Sequence, residues 1–306
     1  MPEITAAMVK ELRDRTGAAM MLCKEALVET GGDFDEAVVY IRKKLGAKLS
    51  DRGDRVAAEG VIAVAVVDDR DAAIIELNSE TDFVARSEDF KQLAKELAEQ
   101  VARSRATSTE ELLKQPSLVD MALTVQDRIH DVFSRLRENI VFRRFAFVST
   151  DETGHIATYV HVPANDRIGV LVEVGAESPE AARSEEIKHL GHELAMQIAA
   201  SRPRYLTREE VPEEVLEQER DIARTVARNE GRPEAAIEKI VEGRLRKFYE
   251  ETVLLDQPYL REPKKTIAQL LKEVGKGAHI RRFIRYEVGE QTGGAATSGA
   301  IKETVE

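Results

Sequence analysis

The chain has 306 residues, 42% hydrophobic and 33% charged, a balance that predicts two or three packed domains and excludes a disordered chain. Its net charge of −11 comes from acidic and basic residues intermixed along the sequence, so no basic block is available to track phosphates; sequence-independent nucleic-acid binding is not expected. A single cysteine, Cys23, can form neither an internal disulfide nor a CxxC metal site, which predicts a fold held by packing in a reducing compartment, the cytoplasm.

From the start of the chain, Ile4, Met8, Val9 and Leu12 share one helical face, broken at Thr16-Gly17. A second helix is predicted from about Ala18 to Glu29. Gly31-Gly32 ends it, and Asp33 with Glu36 three residues on opens a third, with the stripe Phe34, Ala37, Val38, Ile41 and Leu45. Residues 1–46 thus read as a three-helix module. Residues 47–59, polar and without a stripe, read as a linker.

From Gly60 the pattern changes to apolar runs, Val61–Val67 and Ala72–Leu77, joined by Asp68-Asp69-Arg70-Asp71 as a hairpin. The longer run is far short of a membrane span, and Glu3, Lys10 and Glu11 stand where a signal peptide would be apolar. A helix follows at about Glu88–Ala102. This strand, strand, helix unit occurs twice. Phe90, Leu93, Leu97 and Val101 reappear as Ile187, Leu190, Leu194 and Ile198 at an offset of 97 (187 minus 90), with Glu96 matching Glu193 and Gln100 matching Gln197. Between the copies a helix, Leu118–Arg137, and a strand, Ile140–Ser149, are predicted. After the second copy, Glu213–Asn229 and Glu234–Glu251 form a helical hairpin, with Val215, Ile222 and Val226 facing Ile237, Val241 and Phe248. Thr266 caps a helix through Val274, Ile280–Val288 makes a last strand, and 291–306 reads as a disordered tail. The expected class is α+β, with 60–139 one core subdomain, 140–208 and 253–290 the other, and 209–252 the inserted hairpin.

Four features invite a functional reading. In helix 2 the stripe Ala19, Leu22, Cys23, Ala26, Leu27 leaves Met21 nearly opposite and Met20 at the edge; the pair is either an adaptable contact surface or packs on another part of the chain. Cys23 falls on the core stripe, which fits a small buried apolar residue better than a nucleophile. His189 and His192 stand beside Glu193, but the order is neither HExxH nor HxxEH, and their repeat equivalents are Gln92 and Lys95, so no metal site is expected. No serine-histidine-aspartate set, P-loop or dinucleotide fingerprint occurs, and no catalytic residues are assigned. In "NSETDFVARS", Asp82 and Phe83 map to Pro179 and Glu180, so the second copy makes the same connection without them. Two readings stand. Phe83 folds back as a hydrophobic staple with Asp82 capping the next helix, or it is an exposed recognition wedge.

The stretches "VKELRDRTGAAMMLCKEAL", "TDFVAR", "RIGVLVEV", "VEGRLRKF", "QPYL" and "FIRYEVGE", in this order across about residues 2–289, resemble the elongation factor Ts family, the bacterial guanine-nucleotide exchange factors of elongation factor Tu. The resemblance implies a ubiquitin-associated-like N-terminal module, a two-subdomain α+β core and a coiled-coil insertion. It implies no enzyme activity, no cofactor and no membrane contact, with elongation factor Tu, GDP-bound or nucleotide-free, as partner. It places Thr81, Asp82, Phe83 and Val84 beside that partner's Mg²⁺ and phosphate site, where insertion promotes GDP release and lets GTP reload. It also implies partner contacts for Met20, Met21 and His161. A pure interaction scaffold is the rival reading from another class. Beyond Gly289 some members place a further partner-binding helix; here the sequence reads GGAATSG and a short charged end.

Overall fold

The computed structural model describes residues 4–16, 18–41, 44, 57–290, 297–298 and 304–305. Near the start of the chain, helices α1 (Ala6–Thr16), α2 (Met20–Glu29) and α3 (34–41) close around their own small core of Val9, Leu12, Cys23, Ala26, Leu27, Ala37 and Ile41. Asp33 Oδ1 accepts from Glu36 N at 2.9 Å and opens α3. Leu45 of the expected stripe and most of the expected linker, 47–56, lie outside the described residues.

The rest is built from two antiparallel sheets. Strands β1 (Glu59–Val67), β2 (Asp71–Ser79) and β3 (Val141–Ser149) form the first, β4 (Gly154–Val160), β5 (Ile168–Gly175) and β8 (His279–Glu287) the second. Asp68 and Asp69, both at positive φ, are the central residues of a tight turn closed by Arg70 N donating to Val67 O at 3.1 Å, within the three-residue connection between β1 and β2; Asp tolerates this backbone better than most residues. Strand β3 pairs with β2, so 141–149 belongs to the first sheet and not, as the sequence suggested, to the second subdomain. The tail expected to be disordered lies outside the described residues except at 297–298 (β9) and 304–305 (β10), which pair with β8 and β3 respectively.

Each sheet is buried on both faces, and this is why its strands read as unbroken apolar runs. Val61, Ala63, Ala73, Ile75 and Leu77 face helix α5 (Glu88–Ser104) and helix α7 (Val125–Leu136). The alternate residues Ile62, Ala72 and Ile74 meet Leu171, Ile284 and Tyr286 of the other sheet. The sheets approach so closely that a Cβ on Gly169 would lie 2.4 Å from Ile62 Cγ2. On the far side of the second sheet, α9 (Glu185–Ser201) and α12 (Ile267–Val274) pack through Ile187, Leu190, Leu194, Ile198, Ile267 and Leu271. The core is therefore four layers: helices, sheet, sheet, helices.

The duplication runs further than the offset of 97 revealed. Short helices α4 (Asp82–Arg86) and α8 (Pro179–Ala182) occupy the same place after β2 and β5; their N-caps Thr81 and Ser178, and the next N-caps Ser87 and Ser184, are all 97 apart. Beyond the long helices the match resumes as Gln115-Pro116-Ser117-Leu118 with Gln257-Pro258-Tyr259-Leu260 (257 minus 115 is 142). Gln100 Nε2 donates to Pro116 O at 3.2 Å and its Oε1 accepts from Leu118 N at 2.9 Å; Gln197 makes the same pair with Pro258 O and Leu260 N at the same two distances. Thr124 and Thr266, again 142 apart, both open helices with capping boxes. Thr124 is the reason the helix expected from Leu118 begins only at Val125; the preceding residues turn instead, with Ala122 N donating to Asp120 Oδ1 at 3.0 Å. A short helix not among the expected elements, α6 (Thr109–Lys114), is opened by Ser108.

What one half has and the other lacks is the helix pair α10 (Glu213–Asn229) and α11 (Glu234–Thr252). The chain leaves and returns at one point, where Arg204 N donates to Thr252 O at 2.7 Å and Tyr205 bridges Val253. The seam uses Ala223 and Ala227 against Ile237 and Val241, while Ile222, expected to face inward, is exposed. Small residues let two helices approach, and this rotates the seam by one position from the most apolar stripe. Strands β6 (Pro258–Tyr259) and β7 (Glu262–Thr266) form a small ribbon before α12.

Candidate functional site

The segment Thr81–Arg86 is a single helical turn on a fixed base. Thr81 Oγ1 accepts from Val84 N at 3.4 Å and caps the turn. Ser87 closes it, donating through Oγ to Val84 O at 2.8 Å, and then caps α5 through Phe90 N. Ala85 is buried and Val84 packs on the first core, so the turn is anchored along one side. Phe83 projects from the other side with 82% of its surface exposed. The staple reading is thereby corrected: Ser87, not Asp82, caps the following helix, and Phe83 does not fold back onto it. Asp82 pairs with Arg86 at 2.9 Å on the surface. Such an exposed pair holds little energy, roughly 0.3–0.5 kcal/mol, and either group can exchange it for a new contact.

The base of the turn is clamped from the junction between α7 and β3. Glu138 accepts from Thr81 N at 3.0 Å through Oε2 and from Thr81 Oγ1 at 2.6 Å through Oε1. In return, Asn139 N donates to Glu80 Oε1 at 2.9 Å. Neither glutamate was singled out in the sequence, because each acts on a backbone N–H more than fifty residues away and belongs to no motif.

A depression beside Phe83 is lined also by Glu59, Glu80, Arg86, Asn165 and Arg167. The last two come from the β4–β5 loop, which is pinned on several sides: Ile62 N donates to Asp166 O at 2.7 Å, Lys91 pairs with Asp166 at 2.6 Å, and Arg167 pairs with Glu59. The loop that begins at His161 therefore reaches the Phe83 turn, but His161 itself sits at the opposite end. Its Nδ1 and the Tyr159 hydroxyl share a hydrogen bond of 2.8 Å, and both line a second depression with Met196, Tyr259 and Arg261. There Glu193, buried on α9, accepts from Tyr259 Oη at 2.6 Å and pairs with Arg261 at 2.5 Å. Burial, followed by the hydrogen bond to the Glu193 carboxylate, pushes the Tyr259 phenol up to about 12, so it stays protonated as a donor.

On α2, Met20 and Met21 are 49% and 75% exposed, while Cys23 is buried. Ala19, placed on the core stripe from sequence, is the exposed N-cap instead. Burial pushes the Cys23 thiol up, which suits a packing residue and not a nucleophile. His189 and His192 are both exposed, and among the described residues no group of three or more metal-ligating side chains comes together. None of the described helices is long and apolar enough to cross a membrane.

These features define an α+β protein whose most exposed large apolar side chains, among the described residues, are Phe83, Met121 and Met21, the first of them on a rigidly based turn. Comparison with known proteins gives the class a family. The family model described as Elongation factor TS matches residues 80–290. Two curated relatives, both called Elongation factor Ts, are similar over nearly the whole chain: that of Symbiobacterium thermophilum is 42% identical over 295 residues (95% of this chain, 93% of the relative), and that of Nostoc sp. 41% identical over 297 residues (95% and 94%). The chain belongs to the elongation factor Ts family of translation elongation factors.

Proposed function

We propose that this protein is a guanine-nucleotide exchange factor, which binds elongation factor Tu in its GDP-bound state and releases the GDP by inserting the Thr81–Val84 turn beside the Mg²⁺ and phosphate site. The observation that carries the reading is Phe83, a large apolar side chain left in water on a turn whose other side is anchored. A bound GDP is held by backbone amides around its phosphates and by Mg²⁺ through phosphate oxygens. A rigid wedge that moves the segments carrying those ligands weakens both grips together. Coupling is reciprocal: to whatever extent the factor weakens GDP, GDP weakens the factor, about 1.4 kcal/mol for each tenfold. The nucleotide-free complex is then the tight one, and incoming GTP resolves it. Binding energy does the work, so the chain needs no acid, base or cofactor of its own.

In this reading Met20 and Met21 give the N-terminal helices, a ubiquitin-associated-like module, an adaptable second contact, and His161 gives the second half of the core a third. The α10–α11 pair is a coiled-coil insertion, and the protein works in the cytoplasm, where translation runs. The test is release of fluorescent GDP from elongation factor Tu with catalytic amounts of this protein. Wild type is expected to accelerate release, with Phe83→Ala and Asp82→Ala blunting it while leaving the fold intact. An unaccelerated release with wild type would overturn the proposal in favour of a pure scaffold.

A further inference from the structure

A wedge is only as good as its footing. Displacing part of a folded partner requires that the turn bearing Phe83 resist the push; a soft turn would bend, and the binding energy would go into deforming it. The footing is Glu138. Its two carboxylate oxygens take the N–H and the hydroxyl of Thr81 at 3.0 and 2.6 Å, so both the backbone and the side chain of the capping residue are held by one group. A carboxylate accepting two bonds at these lengths makes charge-assisted contacts, stronger than neutral ones. The Thr81 hydroxyl, having donated to Glu138, keeps its lone pairs for Val84 N, so clamp and cap reinforce each other.

The duplicated half supplies an internal control. After α7 and α12 the chains turn at Arg137 and Gly275, both at positive φ and 138 apart, which sets Glu138 against Lys276 and Asn139 against Gly277. Lys276 is a donor and cannot accept from a capping hydroxyl; it pairs with Glu186 at 3.2 Å. Ser178 nonetheless caps α8 through Ala181 N at 3.1 Å, and Glu177 N finds Lys276 O at 2.9 Å. The fold therefore makes this connection without a carboxylate clamp. The clamp occurs in the half that carries Phe83, and there the two go together.

We propose that Glu138 is a positioning residue for nucleotide release, fixing the Phe83 turn through Thr81 so that the wedge does not recoil. The proposal rests on Phe83 acting as the wedge, and its test separates the two ideas. Fluorescent GDP release from elongation factor Tu is followed at rising concentrations of the full-length factor, giving a maximal rate and a half-saturating concentration for wild type, Glu138→Ala, Glu138→Gln, Phe83→Ala and the double variant Phe83→Ala/Glu138→Ala. Loss of two charge-assisted bonds predicts that Glu138→Ala lowers the maximal rate about tenfold while the half-saturating concentration moves less than about threefold. Glutamine, whose oxygen still accepts from Thr81 N and whose amide can donate to Oγ1, is expected to stay within about threefold of wild type. In the Phe83→Ala background the Glu138→Ala change should cost nothing further, since it acts through a wedge already gone.

An equal loss from Glu138→Ala in both backgrounds would assign Glu138 a general structural role and overturn the inference. So would a wild-type maximal rate for Glu138→Ala beside an impaired Phe83→Ala. A wild-type rate for Phe83→Ala would instead remove the wedge itself. Should Glu138→Ala fail to fold, Thr81→Val removes the hydroxyl from the other side of the same contact and Thr81→Ser restores it; Thr81→Val at the wild-type rate would equally end the proposal.

Discussion

The two halves of the core agree where the fold needs them to and differ where it does not. Each half buries a glutamate between the sheets, Glu76 and Glu173, 97 apart, and each glutamate is met by a consecutive arginine pair from its own third strand. Arg143 and Arg144 reach Glu76 at 2.9 and 2.7 Å; Arg281 and Arg282 reach Glu173 at 3.0 and 2.5 Å. A further donor to each comes from just past the third strand of the other half, Gly289 N to Glu76 at 2.9 Å and Thr150 Oγ1 to Glu173 at 2.6 Å. The clusters thus lock the halves together reciprocally. The differences are elsewhere: Asp82-Phe83 on one connection against Pro179-Glu180 on the other, Glu138 against Lys276, and a helical hairpin in one half only. A duplicated fold separates what holds the molecule up from what has been added for use, since an element present in one copy alone is dispensable to the architecture.

The sharpest way to strain this comparison is at the shared clusters. Arg144 is fully buried, its guanidinium 4.0 Å from the centre of the Tyr286 ring, whereas Arg281 and Arg282 keep about a quarter of their side chains in water. Glu76→Ala removes the carboxylate closest to Arg144 and leaves its buried guanidinium only the more distant Glu290, at 3.4 Å, so it is expected to destabilise by about 3–5 kcal/mol. Glu173→Ala leaves cations that can hydrate and should cost clearly less. Urea unfolding of the two variants decides it; equal losses would mean that the clusters are equivalent despite their different exposure.

A smaller effect is expected at Gln100 and Gln197. Each side chain satisfies a carbonyl and an N–H of a QPxL turn, so replacement by Ala should cost about 1–3 kcal/mol. Gln197 belongs to a larger set: Ser201 Oγ donates to Gln257 Oε1 at 2.6 Å, and Gln257 Nε2 donates to Glu251 O at 3.0 Å, at the foot of the hairpin. The segment from Arg202 to Gln257 is more than five times as long as that from Arg105 to Gln115, and closing a longer loop costs more chain entropy. Gln197→Ala should therefore raise hydrogen exchange at the base of α10 and α11, while Gln100→Ala leaves that region unchanged. Identical exchange in the hairpin for both variants would break the link between latch and insertion.

Transplanting the second connection into the first tests the functional side. Asp82→Pro with Phe83→Glu copies Pro179-Glu180 onto a turn of the same geometry, where Pro falls at the first helical position and loses no needed hydrogen bond. Stability should change by no more than about 0.5 kcal/mol, and nucleotide release should fall by about tenfold or more, some 1.4 kcal/mol of lost coupling. Unfolding of this variant would show that Asp82 and Phe83 support the fold after all.

Much of this was legible in the residues. The stripes Phe90 to Val101 and Ile187 to Ile198 gave both long helices and the repeat, because a buried helix face leaves a period that survives divergence. The exposed direction of Met21 followed from helical angles alone. What stayed hidden depends on distant or small signals. The membership of β3 in the first sheet is a matter of pairing between residues some seventy apart. The hairpin seam runs through Ala223 and Ala227, which carry less apolar weight than Ile222 and so lose in any pattern count. Glu138 reaches Thr81 across 57 positions and belongs to no motif. Phe83 was ambiguous because a staple and a wedge have the same local sequence; its direction is fixed by Ser87 taking the cap.

The smallest expected effect concerns acid. His130 in the first half and His155 in the second are each held below the usual histidine value of 6.5, in both cases first by burial; the Lys188 charge adds to the lowering at His155, and Asp127 opposes it at His130. A histidine depressed in the folded state takes up a proton more readily when unfolded. Its contribution is complete above the unfolded value and is lost as the pH falls through 6.5 toward the lower folded value. His155 lies close to Gly191 of α9, its ring Cδ2 3.3 Å from where a Cβ there would sit, so a proton placed on it is paid for in the second core. Stability should decline from pH 7 toward pH 5, and His155→Gln, which cannot titrate, should flatten that decline without changing the acid response near α7. Unfolding midpoints of the two proteins across this range measure the difference. Parallel curves would mean that His155 ionises as easily in the folded protein as in the unfolded chain, and that its burial carries no electrostatic cost.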